Sequence, residues 1–309
     1  MTPGTACRLA LAGLLSAAAG RGMAAPAPVT LLDLFEPIRS AAVGGAGAAL
    51  GNDTTLAPLN PAAAARAARP TVTLGGRRGL FDDLIGHVSL TIPAWRGGWF
   101  AGLSFYESAA ANLRASDGTT RDVLLQQDIV VSNGYAWVVS DYVSCGVAAR
   151  ILRSELFGEF RSQAGAVDAG VQVRLTSSLK AAVVVRNLGP RFRYYEEALA
   201  PRTEARAGLA GGWLVRQGGG HSPGDTLIVA ADGVWDTATR SFAGCVGAEY
   251  RWLGLLAVRA GARAGGPPGQ PIRVSAGLGF THGPCRVDYG LHFGSALSTP
   301  HAVALTITF

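Results

Sequence analysis

The sequence is short of charged residues, of lysine and of long apolar runs. Only 16% of its 309 residues are charged, although 49% are hydrophobic, whereas ordinary soluble domains carry about 25% charged residues. Lys180 is the only lysine, and after residue 24 no stretch reaches the ~18 to 20 consecutive apolar residues of a membrane-spanning helix. These shortages exclude a disordered chain, a coiled coil and a helical membrane protein.

Cysteine and familiar catalytic motifs are also scarce. After the first 24 residues the cysteines are Cys145, Cys245 and Cys285. None lies at the spacing of metal ligands or of a redox motif. One disulfide between two of them remains possible in an oxidising compartment. The chain has no H-E-x-x-H or P-loop motif. His87 and Ser89 alternate on one strand face and leave an outer-membrane lipid hydrolase as a lesser alternative to a polar luminal pair. We predict a non-enzymatic protein without metal or cofactor.

Residues 1–24 have the pattern of a secretory signal peptide. Arg8 precedes an apolar core at residues 9–19, and small residues follow at 22–25. The alternative is an N-terminal anchor helix, for which the core is short. Removing Arg8 and Arg21 lowers the formal charge from +6 to +4. The remaining arginines are scattered singly, which argues against a nucleic-acid surface, and we expect export.

Residues 25–70 form an N-terminal helical segment that we interpret as a plug. Apolar residues recur at helical spacing from Leu31 to Val43 with a break at Pro37, and glycines and a polar turn follow. Inside a wide barrel such a segment would fill space that wall side chains leave empty. The alternative is a flexible periplasmic leader. The plug motif comprises Gly44, Gly45, Gly47, Asn52, Asp53, Asn60, Pro61 and Ala62.

From Thr71 onward the hydrophobic period is two. In residues 285–293, for example, apolar residues alternate with Arg286, Asp288, Gly290 and His292. Such alternation predicts an all-β transmembrane antiparallel barrel over residues 71–309, with about fourteen strands, an outward apolar face and a polar lumen. A large soluble barrel or sandwich is the alternative. Fourteen segments fit, near 71–76, 86–95, 98–106, 125–138, 143–154, 164–175, 179–188, 203–214, 225–235, 240–252, 254–263, 271–281, 285–293 and 301–309.

Two sets of residues in the last third are predicted to matter, and three connections are expected to face outward. Charged luminal side chains should brace the wall and hold the plug, and a surplus of arginine can orient an anionic group. They are Glu249, Arg251, Arg259, Arg263, Arg273, Arg286 and Asp288. The final strand should engage the barrel-assembly machinery through an alternating C-terminal signal of Val303, Leu305, Ile307 and Phe309. The longer connections at 106–124, 189–202 and 215–225 are expected on the outer side of the membrane.

Several segments carry a family resemblance. Residues 39–54 with Asn60-Pro61-Ala62 resemble the N-terminal signature of the PorV/PorQ family, part of the FadL-like group of fourteen-stranded outer-membrane barrels. Residues 186–190 and 202–209 are similar to that family's mid-barrel strand, loop and next strand. Residues 287–290 and 301–309 resemble its final hairpin and terminal aromatic residue.

The resemblance implies a location and two functions. It implies an outer-membrane protein, in contact with lipid, that binds or shuttles exported proteins in a type IX secretion-like system. The alternative is a FadL-like channel for hydrophobic small molecules, with the N-terminal segment as a hatch. An apolar pocket beside the plug with a lateral wall opening would favour the channel, whereas a sealed lumen with long ordered outer loops would favour the protein carrier.

Overall fold

The N-terminal part of the chain forms short helical turns. The computed structural model describes residues 30–79, 83–114, 120–194, 197–199, 201–218, 223–267, 269–293 and 300–309. The predicted signal peptide, residues 1–24, lies outside them. Helix α1 spans Leu31–Leu34 and α2 spans Ile38–Ala42, and two 3₁₀ turns follow at Thr54–Leu56 and Pro61–Ala64. None of the helices in the described ranges is long and apolar enough to cross a bilayer.

After residue 70 the regular secondary structure of the described residues consists of strands. The strands of the described residues are β1 Thr71–Arg78, β2 Leu84–Ala94, β3 Gly97–Glu107, β4 Ala110–Arg114, β5 Thr120–Leu124, β6 Gln126–Val138, β7 Val143–Leu156, β8 Phe160–Arg174, β9 Leu179–Leu188, β10 Phe192–Tyr194, β11 Glu197–Leu199, β12 Glu204–Arg216, β13 Asp225–Asp236, β14 Ser241–Trp252, β15 Leu256–Gly265, β16 Arg273–His282, β17 Cys285–Phe293 and β18 His301–Thr308.

Fourteen of these strands close into one antiparallel barrel. Each barrel strand pairs with its neighbours along the chain, and β1 closes the ring by pairing with β18 from Thr71 opposite Thr308 to Arg78 opposite His301. The hairpins β4–β5 and β10–β11 stand apart from this sheet. The predicted all-β barrel of fourteen strands is confirmed, and each of the fourteen predicted segments corresponds to one barrel strand.

The two ends of the barrel differ in their connections. The turn end holds the start of β1, the end of β18 and tight connections such as 252–256 and 282–285. The loop end holds the two long connections, 107–126 and 188–204, which contain the extra hairpins. Residues 215–225 join β12 to β13 at the turn end, so the expectation that they lie on the same side as the other two long connections is wrong. Antiparallel strands alternate in direction, and counting them puts this connection opposite the long loops.

The wall alternates between a bare apolar outer face and a packed inner face. Val258 and Leu278 on β15 and β16 are 49% and 51% exposed, whereas the adjacent Arg259 and the inward Ser275 are each 2% exposed. This period-two pattern runs around the barrel and produces a continuous apolar surface of the kind that meets lipid. Its outward members include Leu74, Val88, Leu103, Phe105, Ile129, Val131, Val147, Ile151, Leu209, Val229, Val246, Val287 and Val303.

Residues 30–70, which we call the luminal segment, pack against the inner wall. Helix α2 lies on β16 and β17, and the turn at Pro61–Ala64 lies on β6, β7 and β8. Leu56 and Val43 join one buried apolar cluster with Val184 of β9 and Val234 of β13. Wall side chains alone cannot fill a fourteen-stranded barrel, so the lumen has room for this segment.

Glycine lets the segment and the wall touch backbone to backbone. Gly44 has a φ of +71°, which favours glycine, and it lies against β15. At Gly261, a Cβ atom would lie 2.2 Å from both the Gly44 nitrogen and the Val43 carbonyl carbon. The segment therefore cannot sit in its observed place if β15 carries a side chain at residue 261.

We predict that Gly261→Ala lowers barrel stability by about 1 to 3 kcal/mol, because overpacking forces backbone shifts. Gly244→Ala on β14 is the matched control, since nothing lies within 4 Å of its added Cβ. Urea unfolding of the folded protein in detergent, followed by tryptophan fluorescence, measures both variants. Equal midpoints for the two variants would contradict the close contact at Gly261.

Candidate functional site

A closed ring of buried charges joins the luminal segment to the wall. Arg39 binds Asp53 at 2.8 Å within the segment and Glu249 of β14 at 2.8 Å. Glu249 accepts a hydrogen bond from Arg259 at 2.6 Å, and Arg259 reaches Asp288 at 2.7 Å. The ion-pair ring consists of Arg39, Glu249, Arg259, Asp288, Arg286 and Asp53, with Arg251 attached to Glu249 at 2.5 Å.

Asp53 closes this ring from the segment side. Arg286 donates hydrogen bonds to its two carboxylate oxygens at 3.1 and 3.2 Å. Burial by itself raises the pKa of Asp53, but Arg286 and Arg39 outweigh it and hold that pKa well below its usual range. Asp53 is therefore ionised at neutral pH, and its charge is compensated on both sides.

Polar wall side chains bind the backbone of the segment along its length. Asp128 accepts from the Leu31 amide at 2.8 Å, Ser275 from the Gly44 amide at 2.9 Å and Asp232 from the Ala48 amide at 2.9 Å. Wall side chains also donate hydrogen bonds to carbonyl oxygens of the segment: Arg206 Nη1 donates to the Gly45 carbonyl at 2.5 Å and Gln172 Nε2 to the Ala49 carbonyl at 3.2 Å. These bonds satisfy backbone groups that would otherwise be buried without partners.

A bulge between β8 and β9 adds one more attachment point. The register shifts between Val167 and Ala169, and Asn187 adopts a φ of +57° beside the shift. Its backbone amide donates to Asp168 at 2.7 Å, and its side chain donates to the Leu32 carbonyl at 3.2 Å. The bulge thus aims Asn187 at the luminal segment, which is a common use of β-bulges.

An apolar pocket lies between the segment and strands β1, β2, β17 and β18. Its volume is about 50 Å³, and its apolar lining includes Leu34, Phe35, Ile38 and Ile85. The Phe35 ring lies 4.3 Å from the His87 ring, centroid to centroid. Strands β1, β2 and β18 pair without a break beside it, so the pocket is present without the lateral opening that we expected of a hydrophobic channel.

Two polar chambers flank this pocket along the barrel axis. The loop-end chamber has a volume of about 310 Å³ and shares Leu34, Glu36 and Arg77 with the apolar pocket. The turn-end chamber has a volume of about 450 Å³ and shares Arg39 and Thr306 with it. The apolar pocket thus lies between these two chambers, with the segment's residues 34–36 on the loop-end side and Arg39 of the ion-pair ring on the turn-end side.

The hydrolase alternative finds no assembled catalytic group. His87 Nδ1 is hydrogen-bonded at 2.8 Å to Ser104 of the neighbouring strand, not to Ser89. Among the hydrogen bonds of the described residues, no carboxylate orients His87. The described residues also hold no cluster of three His, Cys, Asp or Glu side chains able to bind a metal ion. Cys145, Cys245 and Cys285 form no disulfide with one another.

The structure places the predicted luminal charges in two groups. Glu249, Arg251, Arg259, Arg286 and Asp288 meet in or beside the ion-pair ring. Arg263 and Arg273 line the loop-end chamber instead. The outward face of β18 carries Val303, Leu305 and Ile307, with Phe309 exposed beyond the strand.

The predicted plug motif is spread over the segment's contacts with the wall. Asn60 is fully buried, donates to the Ala48 carbonyl at 2.7 Å and accepts from the Ala62 amide. Asn52 is exposed and lines the turn-end chamber, whereas Asp53 belongs to the ring. Gly44 and Gly45 have positive φ angles. Gly47 packs against Ser40, and Pro61 starts the second 3₁₀ turn.

Sequence reasoning missed the buried charges of the middle strands and of α2. These include Arg39 and the inward residues Asp128, Arg150, Asp168, Arg186, Arg206 and Asp232. The period-two pattern could have found the strand residues, because exposed apolar residues such as Ile151 flank them. For Arg39 no local signal exists, since Glu249 lies 210 positions away.

Comparison with known proteins rests on solved structures alone. No family model matches the sequence, and no curated protein matches it. The toluene transporter TbuX of Ralstonia pickettii superposes with a TM-score of 0.64 at 12% identity, covering 91% of this chain and all of the other. The toluene transporter TodX of Pseudomonas putida gives 0.60 at 12% identity, covering 89% of this chain and 97% of the other. The fold is that of the FadL-like outer-membrane barrels.

A third solved structure supports the same fold. A FadL homologue of Pseudomonas aeruginosa gives a TM-score of 0.54 at 12% identity, covering 88% of this chain and 97% of the other. At such identities the likeness extends to the fold and not to a shared ligand. The narrower resemblance to PorV/PorQ stays a prediction, because no family model matches.

We predict that Asp53→Asn destabilises the protein by about 3 to 5 kcal/mol at neutral pH, because it leaves buried arginines without their counter-charge. Since the folded-state pKa of Asp53 is lowered, its stabilisation is present above the unfolded pKa of about 3.9 and is lost as pH falls below that value. Thermal unfolding between pH 3 and pH 8 should therefore give a shallower acid limb for Asp53→Asn.

The matched control for this variant is Glu155→Gln. Glu155 pairs at 2.9 Å with Arg161, whose side chain is 64% exposed, and exposed pairs contribute only about 0 to 1 kcal/mol. An Asp53→Asn protein with the stability and acid limb of Glu155→Gln would show that the ring does not hold the segment.

Proposed function

We propose that this protein is an outer-membrane channel for small hydrophobic molecules, closed in the present state by its luminal segment. The observation that carries this proposal is the apolar pocket of residues 34–38 and Ile85, enclosed between the segment and the wall. Pockets of this kind, apolar with a few polar groups, are typical of small-molecule sites.

The fold adds support to the small-molecule proposal. The solved structures with the same fold include proteins described as toluene transporters and as a monoaromatic hydrocarbon channel. The Phe35 and His87 rings lie 4.3 Å apart in the pocket at an interplanar angle of 32°, so its wall offers flat faces that an aromatic ligand would contact. The pocket's volume of about 50 Å³ is below the roughly 150 Å³ of a cavity known to hold benzene. Entry of a ligand therefore requires Phe35 to move.

The route we propose runs along the barrel axis. A ligand would enter the loop-end chamber, displace residues 34–37, occupy the apolar pocket and leave past the ion-pair ring into the turn-end chamber. The continuous pairing of β1 with β2 and β18 argues against an exit through the wall at this pocket. This axial route distinguishes the proposal from the hatch with a lateral opening.

The membrane location is part of the same proposal. The continuous apolar outer face and the aromatic residues near strand ends, among them Trp213, Trp235 and Trp252, fit a bilayer with interfacial girdles. In this arrangement the outer face contacts lipid, and the C-terminal residues Val303, Leu305, Ile307 and Phe309 serve as the assembly signal. The long connections of the loop end would face outward.

The reading as a carrier of exported proteins has less support. It depends on the sequence resemblance to PorV/PorQ, and the solved structures of similar fold are described as small-molecule transporters and channels. Of the PorV/PorQ-like glycines, Gly44 and Gly45 are used here to pack the segment on β14 and β15, which would close the lumen for either function.

We predict that Ala302→Phe abolishes most protein-dependent uptake of labelled toluene. Ala302 is buried and lines the apolar pocket, so a phenyl ring would fill the space that the ligand needs. Val303→Phe is the matched control, because Val303 is the next residue of β18 and points outward. Uptake is compared in cells that express each variant and in cells that carry an empty vector.

The same cells supply the test of location. Both variants should fractionate with the outer membrane and show heat-modifiable gel mobility, as compact barrels do. Toluene uptake that is equal in Ala302→Phe and Val303→Phe cells would reject the pocket as the route. Recovery of the folded protein in the soluble fraction would reject the membrane location.

A further inference from the structure

We propose that the loop-end chamber is a binding site for the carboxylate of a small organic anion, held by Arg186, Arg263 and Arg273 in competition with Glu36 of the luminal segment. The inference deepens the proposed function, because it gives the channel's ligands a charged group.

Arginines from several strands face the chamber. Arg77 on β1, Arg186 on β9, Arg263 on β15 and Arg273 on β16 all line it, together with Arg202. The carboxylates there are Asp33, Glu36, Glu204 and Asp236. Arg202 pairs with Asp236, and Glu204 is shared by Arg186 and Arg206. Among the ion pairs of the described residues, Arg77, Arg263 and Arg273 have no carboxylate partner within 4 Å.

Two of these arginines carry buried N–H groups with no acceptor. Arg186 is 4% exposed, and its Nε and Nη2 atoms have no hydrogen-bond partner, while its Nη1 lies 3.8 Å from Glu204. The Nε atom of Arg263 likewise has none. Buried guanidinium N–H groups without acceptors are costly, and a planar carboxylate satisfies such a fork with two hydrogen bonds. The donor set therefore matches a carboxylate better than a neutral hydrocarbon.

Glu36 already presents a carboxylate to this group. It lines both the chamber and the apolar pocket, and its described hydrogen bond is from Ser40 at 2.8 Å. A Cβ added at Gly45 would lie 3.2 Å from Glu36 Oε1 and 3.9 Å from Arg263 Nη1, so both groups border one small space. Burial raises the pKa of Glu36, but Arg206 and Arg263 outweigh it and lower that pKa. Glu36 is therefore ionised.

Competition at this point connects binding with opening. Glu36 belongs to the linker 35–37 between α1 and α2, and Phe35 of the same linker lines the apolar pocket beside His87. An anion that takes over the arginines removes the attraction that holds Glu36, and the linker that separates the chamber from the pocket is loosened. A carboxylate with an apolar ring would then offer a group to each cavity in turn.

The test is calorimetric titration of the purified full-length mature chain in detergent with benzoate, with benzamide as its neutral counterpart and acetate as the charged group alone. We expect benzoate to bind at least tenfold more tightly than benzamide at low salt, and added salt should reduce the difference. Arg263→Gln and Arg273→Gln should each weaken benzoate about tenfold and leave benzamide unchanged. Arg161→Gln is the control, since Arg161 is exposed.

The Glu36→Gln variant distinguishes competition from a merely structural role by the direction in which benzoate affinity changes. Removal of the competing carboxylate should strengthen benzoate binding about fivefold or more, whereas loss of a structural carboxylate would weaken it. Weaker benzoate binding in a folded Glu36→Gln protein would overturn the competition. An affinity for acetate equal to that for benzoate would overturn the contribution of the benzoate's aromatic ring.

The outcome is separable from that of the proposed function. Equal affinity for benzoate and benzamide overturns the anion site, and an intact effect of Ala302→Phe on toluene uptake would then leave a channel for neutral molecules. Loss of that effect with preferred benzoate binding would reject the toluene route and retain the anion site. If Arg273→Gln does not fold, Arg263→Gln alone decides the role of the arginines.

Discussion

The ion-pair ring is the interaction on which the rest of this structure depends. It joins Arg39 and Asp53 of the luminal segment to charged residues of β14, β15 and β17. Ion pairs buried in a protein are only stabilising when geometry is good and every charge has partners. The ion-pair ring meets this condition because each of its carboxylates lies between two arginines. Separating the segment from the wall would therefore leave charges without partners on both.

The ring also explains why the lumen is divided as it is. With Arg39 and Asp53 fixed, α2 lies against β16 and β17, and the linker at residues 35–37 is held across the barrel above it. The apolar pocket is the space between these parts of the segment and strands β1, β2, β17 and β18. Phe35 and His87 border it, and the cavities at either end are polar because charged wall residues there bind the segment's backbone and side chains.

The sequence predicts the wall far better than the contacts inside it. A strand with one apolar face repeats every second residue, so local patterning located all fourteen strands. The ring could not be located in this way, since Arg39 and Glu249 are 210 positions apart and Asp53 and Arg286 are 233 apart. His87 shows the same limit, because sequence proximity suggested Ser89 and the neighbouring strand supplied Ser104. The end of the barrel at which residues 215–225 lie could have been predicted by counting strand directions along the chain.

The central claim is that the luminal segment, held by the ring, closes the barrel to water and ions. Ion conductance of the protein in a planar lipid bilayer tests it most directly, with the wild-type chain measured beside an Arg39→Ala/Asp53→Ala double variant. The wild-type protein should show no stable open-channel steps and the variant should open, because fourteen strands without a filled lumen leave an aqueous path. Porin-like steps from the wild-type protein, or a variant as closed as the wild type, would contradict it.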